Sequence, residues 1–332
     1  MAHPGHSVAS ERLVLGIDLG ATNAKLGLVT NGGGVVRRTA IATEPDDGPE
    51  ATVQRICRAA VGLLGEAGVR PGDLLGAGVA AAGSVDAERG VLRYWPNVPT
   101  WRDVPLQAMF SERLGLPCTV ENDGNAAALA EHWIGVGQGF SSLVLLTLGT
   151  GIGGGAILNG RLWRGANGAA GELGHMCIDP DGPPCNCGSR GCLQAYAGAR
   201  GIVRRMEAAL DASEDSVLAG RRSELTAERV HRAALDGDEA ARRNIADTGR
   251  YLGVGISNLL HLLNPEVVAL SGGVTAAGEM LMAHLRAEVA ARTLEASRRG
   301  VRIAFSAVPG DAGVIGAARR FLMDLPGRQP SP

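Results

Sequence analysis

The sequence predicts an α/β protein with two domains, each built around a β-sheet. At about 150 residues per domain, its 332 residues correspond to two domains or to one large α/β unit. Apolar residues make up 45% of the chain, which is enough for sizeable cores. These cores must be aliphatic, because only 3% of the residues are aromatic. A strand–turn–strand–turn–strand pattern also occurs twice, about 130 residues apart.

The repeated pattern is visible as two sets of three short apolar runs. The second and third runs of each set are separated by Asn31-Gly32 or Asn159-Gly160, and Asn-Gly between apolar runs is a strong hairpin signal. An internal duplication of one β-unit is the simplest interpretation, and two unrelated hairpins are the alternative. The predicted strands are residues 13–19, 24–30 and 35–41 in the first set, and 143–148, 153–158 and 161–163 in the second.

The other segments alternate between helical and extended patterns, and the last third of the chain is mostly helical. Residues 1–11 are predicted to be a polar, disordered lead-in. Further strands are predicted at residues 76–82, 267–271 and 301–306. Helices are predicted at residues 50–68, 126–133, 196–211, 226–236, 238–263, 276–297 and 311–324.

Composition excludes several function classes. The formal net charge of −2 gives no electrostatic reason to bind nucleic acid. No stretch of about 18 uncharged apolar residues is present, so a membrane span is not expected. Residues 1–10 lack a basic start followed by an apolar stretch, which is the pattern of a signal peptide. We therefore expect a cytoplasmic protein whose thiols are reduced.

The turn after the first strand is a candidate phosphate-binding loop. Gly20 lets the backbone turn sharply and approach a phosphate closely, and Thr22 adds a hydroxyl donor. Asp18, at the strand end, is a candidate ligand of Mg²⁺, directly or through water. Lys25, the only lysine of the chain, lies in the same segment. An ordinary tight hairpin is the alternative interpretation.

The corresponding turn of the second set, at Thr150 and Gly151, is the second candidate phosphate loop. Residues 149–154 fit the pattern G-x-G-x-x-G, but a strand follows these glycines where a dinucleotide site requires a helix. The sequence also contains no P-loop motif. Two Gly/Thr turns, one in each half of the chain, would hold the phosphates of a nucleotide if they faced each other across a cleft.

Asp123 is the candidate general base. It lies between a predicted strand and a predicted helix, where a carboxylate can accept a proton from a substrate hydroxyl. Asn and Asp are also favourable N-cap residues, so simple helix capping is the alternative.

A histidine and three cysteines form a candidate zinc site. One imidazole and three thiolates in a loop rich in Gly and Pro suit tetrahedral Zn²⁺, and a site with four protein ligands is structural. Disulfides and unliganded thiols are the alternatives. Cys57, Cys118 and Cys177 are expected to be small core residues. The proposed ligands are His175, Cys185, Cys187 and Cys192.

Taken together, these motifs resemble the ROK family of repressors, open reading frames and kinases, within the actin-like ATPase superfamily. The most specific stretch runs from Gly171-Glu172 to Cys192, and residues 18–25, 121–125 and 148–155 match further family elements. The resemblance implies two actin-like (ribonuclease H-like) domains that flank a nucleotide and sugar cleft. It places the first domain at residues 1–121 and 311–332, and the second at 122–310 with the zinc loop at 175–192.

The resemblance also implies transfer of the ATP γ-phosphate to a sugar hydroxyl, with Mg²⁺ bound to the nucleotide and a structural Zn²⁺. Asp123 would be the general base and also contact the sugar. Gln194 stands where family kinases usually have Glu, so weaker sugar binding or a changed sugar preference is expected. The sugar would be bound by Gly83, Asn97, Asn122, Glu172, His175 and Gln194. The nucleotide would be bound by Asp18, Gly20, Thr22, Lys25, Thr150, Gly151, Gly272 and Gly273.

Glucose phosphorylation at the 6-hydroxyl, as in kinases of the glucokinase type, is the first expectation from this resemblance. Fructose, N-acetylmannosamine and N-acetylglucosamine are alternative substrates, and polyphosphate is an alternative donor. A homodimer without nucleic-acid or membrane partners is expected. A sugar-sensing repressor is disfavoured, because only about a dozen residues precede Leu13, too few for a DNA-binding module.

Overall fold

The computed structural model describes residues 12–212, 215–308 and 310–325, so the predicted lead-in lies outside the described residues. The strands are β1 (Leu13–Leu19), β2 (Asn23–Thr30), β3 (Val35–Ala42), β4 (Leu74–Ala81), β5 (Ser84–Asp86), β6 (Val91–Tyr94), β7 (Arg102–Val104), β8 (Cys118–Asn122), β9 (Leu143–Leu148), β10 (Ile152–Leu158), β11 (Arg161–Leu162), β12 (Val267–Ser271) and β13 (Arg302–Phe305). The helices are α1 (Pro49–Ala67), α2 (Leu106–Leu114), α3 (Asp123–Ile134), α4 (Leu193–Ala197), α5 (Ala199–Asp211), α6 (Ala227–Leu235), α7 (Glu239–Leu263), α8 (Glu279–Arg292), α9 (Glu295–Arg298) and α10 (Ala312–Met323).

The chain divides into two compact units. The first contains the described residues up to Gly135, the segment Arg164–Ala170 and the described residues from Gly310 onward. The second contains Val136–Trp163 and the described residues from Gly171 to Val308. The boundary differs from the predicted one at residue 121, because α3 packs along α10 and therefore lies in the first unit.

The sheet of the first unit has the strand order β3-β2-β1-β4-β8. The first three strands are antiparallel neighbours, whereas β1, β4 and β8 are parallel. In the parallel part, Asp18 pairs with Ala80, and Ala80 pairs with Glu121. The carboxyl ends of these three strands therefore lie at the same edge of the sheet.

The sheet of the second unit has the equivalent order β11-β10-β9-β12-β13. Again the first three strands are antiparallel neighbours and the last three are parallel. The core of the second unit is built mainly from aliphatic side chains, as the composition predicts. Helix α7 contributes several of them, including Leu252 and Ile256. The α/β class and the repeated β-unit are therefore confirmed.

Two predicted helices are interrupted, and one small sheet is missing from the prediction. The helix predicted at 196–211 is divided into α4 and α5 at Gly198, where a Cβ would lie 3.2 Å from the Gly151 Cα. The helix predicted at 276–297 ends at Arg292, because Thr293 is extended. The sheet β5-β6-β7 consists of strands of three or four residues, which are too short for a clear periodic signal.

None of the helices in the described ranges combines the length and the apolar character needed to cross a membrane.

A buried carboxylate joins three parts of the first unit. Glu121, at 1% exposure, accepts hydrogen bonds at Oε2 from Arg164 Nε (2.9 Å) and Nη2 (2.5 Å). Arg320 of α10 places its Nε 3.4 Å from the same oxygen. The Glu121 Oε1 atom accepts the Asn122 N–H at 3.0 Å and the Asn125 amide at 3.1 Å. One side chain thus connects α10, the segment Arg164–Ala170 and the start of α3.

Glu121→Ala is expected to lower the free energy of unfolding by about 3 kcal/mol, since removing one partner of a buried pair leaves the other charges uncompensated. Urea transition curves measure the change. Glu66→Ala is the matched control, because Glu66 pairs with Arg37 while both side chains are about half exposed or more, and such pairs contribute little. Equal effects of the two substitutions would contradict a structural role for the buried cluster.

Candidate active site

Three candidate site segments of the first unit follow the parallel strands β1, β4 and β8. Gly20 follows β1, Gly83 comes two residues after β4, and Asp123 directly follows β8. The parallel register brings these segments to one edge of the sheet. In open α/β sheets, ligands bind outside the carboxyl ends of the strands, so this edge is the candidate binding edge of the first unit.

Asn122, and not Asp123, caps helix α3. The Asn122 Oδ1 atom accepts the Asn125 N–H at 3.1 Å, so the capping alternative is satisfied without Asp123. Asp123 is exposed, and its Oδ1 accepts the Gly124 N–H at 2.9 Å and the Asn122 amide at 3.1 Å. These bonds orient the carboxylate, which is the geometry that a general base requires.

Gly83 is connected to this pair, whereas Asn97 is not. The Asn122 Nδ2 atom donates to the Gly83 carbonyl at 2.9 Å. Gly83 has a φ of 110°, and a Cβ there would lie 2.4 Å from the Tyr94 carbonyl, so the position requires glycine. Asn97 is exposed in the turn between β6 and β7, and the two buried tryptophans that flank this turn, Trp95 and Trp101, pack edge to face.

The first candidate phosphate turn is a tight β1–β2 connection. The Gly20 N–H donates to the Asn23 carbonyl, and a Cβ on Gly20 would meet that oxygen at 2.9 Å. The carbonyl of Thr22 accepts the Thr43 N–H, while the rest of Thr22 is exposed. The turn is therefore held by backbone hydrogen bonds and has an exposed hydroxyl residue.

Asp18 and Lys25 are cross-strand partners beside this turn. Burial raises the pKa of Asp18 and the positive charge of Lys25 partly offsets the rise. Lys25 is exposed, and its Nζ donates to the Gly310 carbonyl at 3.1 Å. The lysine therefore has a backbone partner just before α10, and its predicted contact with a phosphate remains a prediction.

In the second unit, the turn with Thr150 and Gly151 lies beside Gly272-Gly273. Both segments follow neighbouring parallel strands, β9 and β12. Gly272 has a φ of 96°, and a Cβ there would lie 2.4 Å from the Leu148 carbonyl. The structure therefore brings the predicted nucleotide-binding residues of this unit together at one sheet edge.

His175 ends a short 3₁₀ turn, Leu173–His175, that packs on β10, and Glu172 is the residue just before this turn. A Cβ on Gly174 would lie 2.0 Å from the Ile152 carbonyl, so glycine allows the turn to approach the strand. The His175 Nε2 atom is 4.0 Å from Glu172 Oε2, and the Glu172 side chain is 65% exposed. An exposed carboxylate next to an imidazole nitrogen can bind neighbouring hydroxyls of one ligand.

The four predicted zinc ligands form one cluster. One potential ligand atom from each of His175, Cys185, Cys187 and Cys192 lies within 4.8 Å of the others. The Cys187 and Cys192 sulfur atoms are 3.8 Å apart, and Cys185 Sγ is 3.8 Å from His175 Nδ1. Tetrahedral Zn²⁺ with Zn–S bonds of about 2.3 Å separates two sulfurs by about 3.8 Å. The donor set and its spacing therefore fit zinc.

The cluster uses the Nδ1 atom of His175 and leaves the Nε2 atom directed toward Glu172. Burial tends to raise the pKa of Cys185, but hydrogen bonds, the first of them from the Cys187 backbone, outweigh it and lower the pKa to about 6. Burial and the neighbouring thiols raise the pKa of Cys192, so the two directions differ, and a bound cation would favour the thiolate form of both ligands.

The remaining cysteines divide into two kinds. Cys57 and Cys118 are buried, as expected, and burial raises the pKa of both thiols. The prediction that Cys177 is a core residue is wrong, because its side chain is exposed. Its backbone forms a bridge with Cys192 at the base of the zinc loop, which leaves the thiol on the surface.

Gln194 has hydrogen-bond partners in two neighbouring segments, and its predicted contact with a sugar remains a prediction. Its Nε2 atom donates to Cys185 Sγ and to Asn186 Oδ1, and its Oε1 atom accepts the Ile152 N–H. The amide therefore contacts the zinc loop and the residue after Gly151.

The partners of Glu121 were not predicted from the sequence. Arg164 and Arg320 lie far from it along the chain, and neither belongs to a recognisable motif. One signal could have predicted that Glu121 has a buried cationic partner. It is an acidic residue within a run of strand residues, and a buried carboxylate is normally paired.

We expect about one equivalent of zinc per chain, because four suitable ligand atoms already lie within 4.8 Å of one another. Cys187→Ser should lower the zinc content measured by elemental analysis, since serine replaces the thiolate with a weak ligand. Cys177→Ser is the matched control, because this exposed thiol lies outside the cluster. Metal-free wild-type protein, or equal zinc loss in the two variants, would refute the site.

Comparison with known proteins identifies the family. The ROK family model matches residues 14–322. The glucokinase of Halalkalibacterium halodurans is 37% identical over 311 residues, which are 92% of this chain and 94% of that protein. A putative xylose repressor from Caldicellulosiruptor sp. is 30% identical over 94% of this chain and 79% of the relative.

A solved structure agrees with this assignment. The ROK family glucokinase of Streptomyces griseus, in complex with glucose and AMPPNP, superposes with a TM-score of 0.79 at 34% identity. The match covers 92% of this chain and 98% of that one. The chain therefore belongs to the ROK family, as a sugar kinase of the actin-like ATPase type.

Proposed function

We propose that this protein transfers the γ-phosphoryl group of ATP to the 6-hydroxyl of a hexose, with glucose as the preferred substrate. The observation that carries the proposal is the carboxylate of Asp123. It is exposed, it is oriented by the Asn122 amide and the Gly124 N–H, and it is not needed for capping because Asn122 caps α3.

In the proposed reaction, the hexose 6-hydroxyl gives its proton to the Asp123 carboxylate as its oxygen attacks the γ-phosphorus. The new bond joins O6 to phosphorus, and the bond from phosphorus to the β,γ-bridging oxygen breaks, so that ADP leaves. Phosphoryl transfer depends mainly on positioning and charge stabilisation. Besides positioning the substrates, the protein must therefore supply a proton acceptor, and Asp123 lies at the candidate binding edge of the first sheet.

The two glycine turns are the proposed phosphate-binding elements. The Gly151 N–H and the hydroxyls of Thr22 and Thr150 would donate to phosphate oxygens, and Gly20, whose own N–H is bonded to the Asn23 carbonyl, would let a phosphate approach the backbone closely. Asp18 fits a role with Mg²⁺, since burial raises its pKa and a divalent cation would compensate its poorly solvated charge. When bound with the nucleotide, Mg²⁺ would neutralise charge on the phosphates.

The proposed sugar contacts are Asn122, Glu172 and His175. Glu172 and the His175 Nε2 atom are 4.0 Å apart and not buried, so they can accept or donate hydrogen bonds to adjacent hydroxyls. The Nδ1 atom lies on the side of the thiols, and a zinc ion bound there would fix the orientation of the ring. Glucose is preferred in this proposal because the glucokinase relatives match nearly the whole chain.

A coupled assay over a panel of sugars with ATP tests the function. We expect ADP release with glucose, and less with fructose, N-acetylmannosamine or N-acetylglucosamine. Polyphosphate in place of ATP tests the donor. Turnover with another sugar only would change the substrate, and no ADP release with any hexose or hexosamine would overturn the kinase proposal.

Asp123→Asn is expected to lower kcat by about 10²–10⁴-fold, the usual loss for a general base. Glucose binding, measured by calorimetry, should remain, because the amide can still form hydrogen bonds. Asp238→Asn is the control. Asp238 caps helix α7 through the Ala241 N–H, and Asn is an equally good cap. A near-normal kcat for Asp123→Asn would show that this carboxylate is not the base.

A further inference from the structure

We propose that Arg164 is a positioning residue for Asp123 and that it acts through the buried carboxylate of Glu121. Together, Arg164 and Glu121 hold the turn between β8 and α3, so that the Asp123 carboxylate keeps the orientation that a general base requires. This inference rests on the proposed function, because it gives Asp123 the role of the base. The part of it in which Arg164 holds the turn stands on the hydrogen bonds alone.

The two oxygens of the Glu121 carboxylate have different partners. Both hydrogen bonds from Arg164, from Nε at 2.9 Å and from Nη2 at 2.5 Å, end on Oε2. The Oε1 atom accepts the Asn122 N–H at 3.0 Å and the Asn125 side-chain amide at 3.1 Å. A guanidinium bound to both oxygens would compete with these amides. Because Arg164 binds one oxygen only, the other oxygen holds the start of α3.

Asn122 connects Glu121 to Asp123. The Asn122 side-chain amide donates to Asp123 Oδ1 at 3.1 Å and to the Gly83 carbonyl at 2.9 Å. Its Oδ1 atom caps α3 by accepting the Asn125 N–H at 3.1 Å. A rotation of the Asn122 backbone away from Glu121 would therefore move the amide that orients Asp123. It would also loosen the cap of the helix in which Asp123 is the first residue.

Arg164, and not Arg320, forms the hydrogen bonds to Glu121. The Arg320 Nε atom lies 3.4 Å from Glu121 Oε2 but has no hydrogen-bond partner, and Arg320 Nη1 pairs with Asp324 at 2.5 Å. The ion pair with Glu121 is the only one that Arg164 forms among the described residues. Since Glu121 is 1% exposed, its charge has to be compensated within the protein. Loss of Arg164 would remove two charge-assisted hydrogen bonds from this carboxylate.

The backbone at Arg164 is also held in place. The segment Arg164–Ala170 belongs to the first unit, and the Ala170 N–H donates to the Arg164 carbonyl at 3.0 Å, which closes the segment into a loop. Gly165 has a φ of 72°, and a Cβ there would lie 3.0 Å from the Ala170 Cβ, so glycine favours this closure. The guanidinium therefore extends from a closed loop, and its place beside Glu121 is defined by the fold.

Arg164→Met tests the inference in the coupled assay with glucose and ATP, because methionine has neither the donors nor the charge. We expect kcat to fall by about 10–10²-fold, since a small displacement of a catalytic group has an effect of this size. Glucose affinity, measured by calorimetry, should change much less than kcat, because Glu172 and His175 lie in the second unit. A normal kcat in folded Arg164→Met protein would overturn the proposal.

Arg113→Met is the matched control. Arg113 pairs with Glu50 in the same unit, and its side chain is 28% exposed, against 30% for Arg164. This pair joins α2 to α1 and not the turn before α3. The control should therefore keep a normal kcat. An equal loss of kcat in the two variants would assign the effect to the loss of an ion pair in general and would overturn the proposal.

A double-mutant cycle tests whether Arg164 acts through Glu121. Glu121→Gln keeps an acceptor for the Asn122 N–H but removes the charge that Arg164 binds. In this background, Arg164→Met should lower kcat much less than it does in the wild type, because effects that pass through one residue do not add. Additive losses in the double variant would show that Arg164 acts by another route, and the proposal would then be wrong.

Arg164→Lys decides the question if Arg164→Met does not fold. Lysine keeps the charge but lacks the fixed fork of N–H donors. This variant should fold, as measured by its urea transition, and its kcat should fall by a smaller factor than the one given for methionine. A normal kcat in Arg164→Lys would mean that the charge alone is needed, which would overturn the positioning role.

Hydrogen exchange tests the contacts without any substrate. The N–H groups of Asn122 and Asn125 should exchange faster in Arg164→Met than in the wild type, because the carboxylate and the cap that hold them are less well fixed. Arg113→Met should leave their exchange unchanged. Unchanged exchange in Arg164→Met would overturn the proposal. A wild type that releases no ADP with any hexose removes the proposed function, and the exchange comparison then still decides whether Arg164 holds the turn.

Discussion

The parallel pairing of strands within each sheet is the constraint on which the candidate site depends. In the first unit, β1, β4 and β8 run in one direction, so their carboxyl ends place Gly20, Gly83 and Asp123 at one edge. In the second unit, β9 and β12 are also parallel, so the turn after Leu148 and the residue Gly272 lie at one edge of that sheet. Residues far apart in sequence become neighbours because a strand pairing, once in register, fixes the end of every strand in the sheet.

Close packing of α10 accounts for glycines that have no role in a turn. A Cβ on Gly16 would lie 2.2 Å from the Val314 carbonyl, and one on Gly78 would lie 1.9 Å from the Ala317 carbonyl. On the other side of the helix, a Cβ on Gly316 would lie 1.7 Å from a backbone oxygen of α3. Only glycine permits such an approach, so part of the high glycine content serves contact between α10, the sheet and α3.

The sequence predicted the features that have a local signal and missed those set by distant contacts. The repeated strands carry apolar runs and Asn-Gly turns, and the zinc ligands lie in one short loop. The bond between Glu121 and Arg164 joins residues 43 positions apart, and no pattern near Arg164 identifies it as the partner of this carboxylate. The break at Gly198 likewise depends on contact with the turn at Gly151. The hydrogen bond from the Gln194 amide to Cys185 Sγ likewise forms only when the zinc loop is folded.

The bond of the single lysine shows how charge is distributed around the first glycine turn. Lys25 donates to the Gly310 carbonyl, and the neighbouring strand contributes Arg38, which pairs with Asp311. Both cations thus tie the β2–β3 hairpin to the residues that precede α10. The charge of Lys25 lowers the pKa of Asp18 only partly against the effect of burial. The positive charge of Lys25 therefore does not fully offset the burial of Asp18, and an Mg²⁺ ion bound beside this carboxylate would stabilise its ionised form.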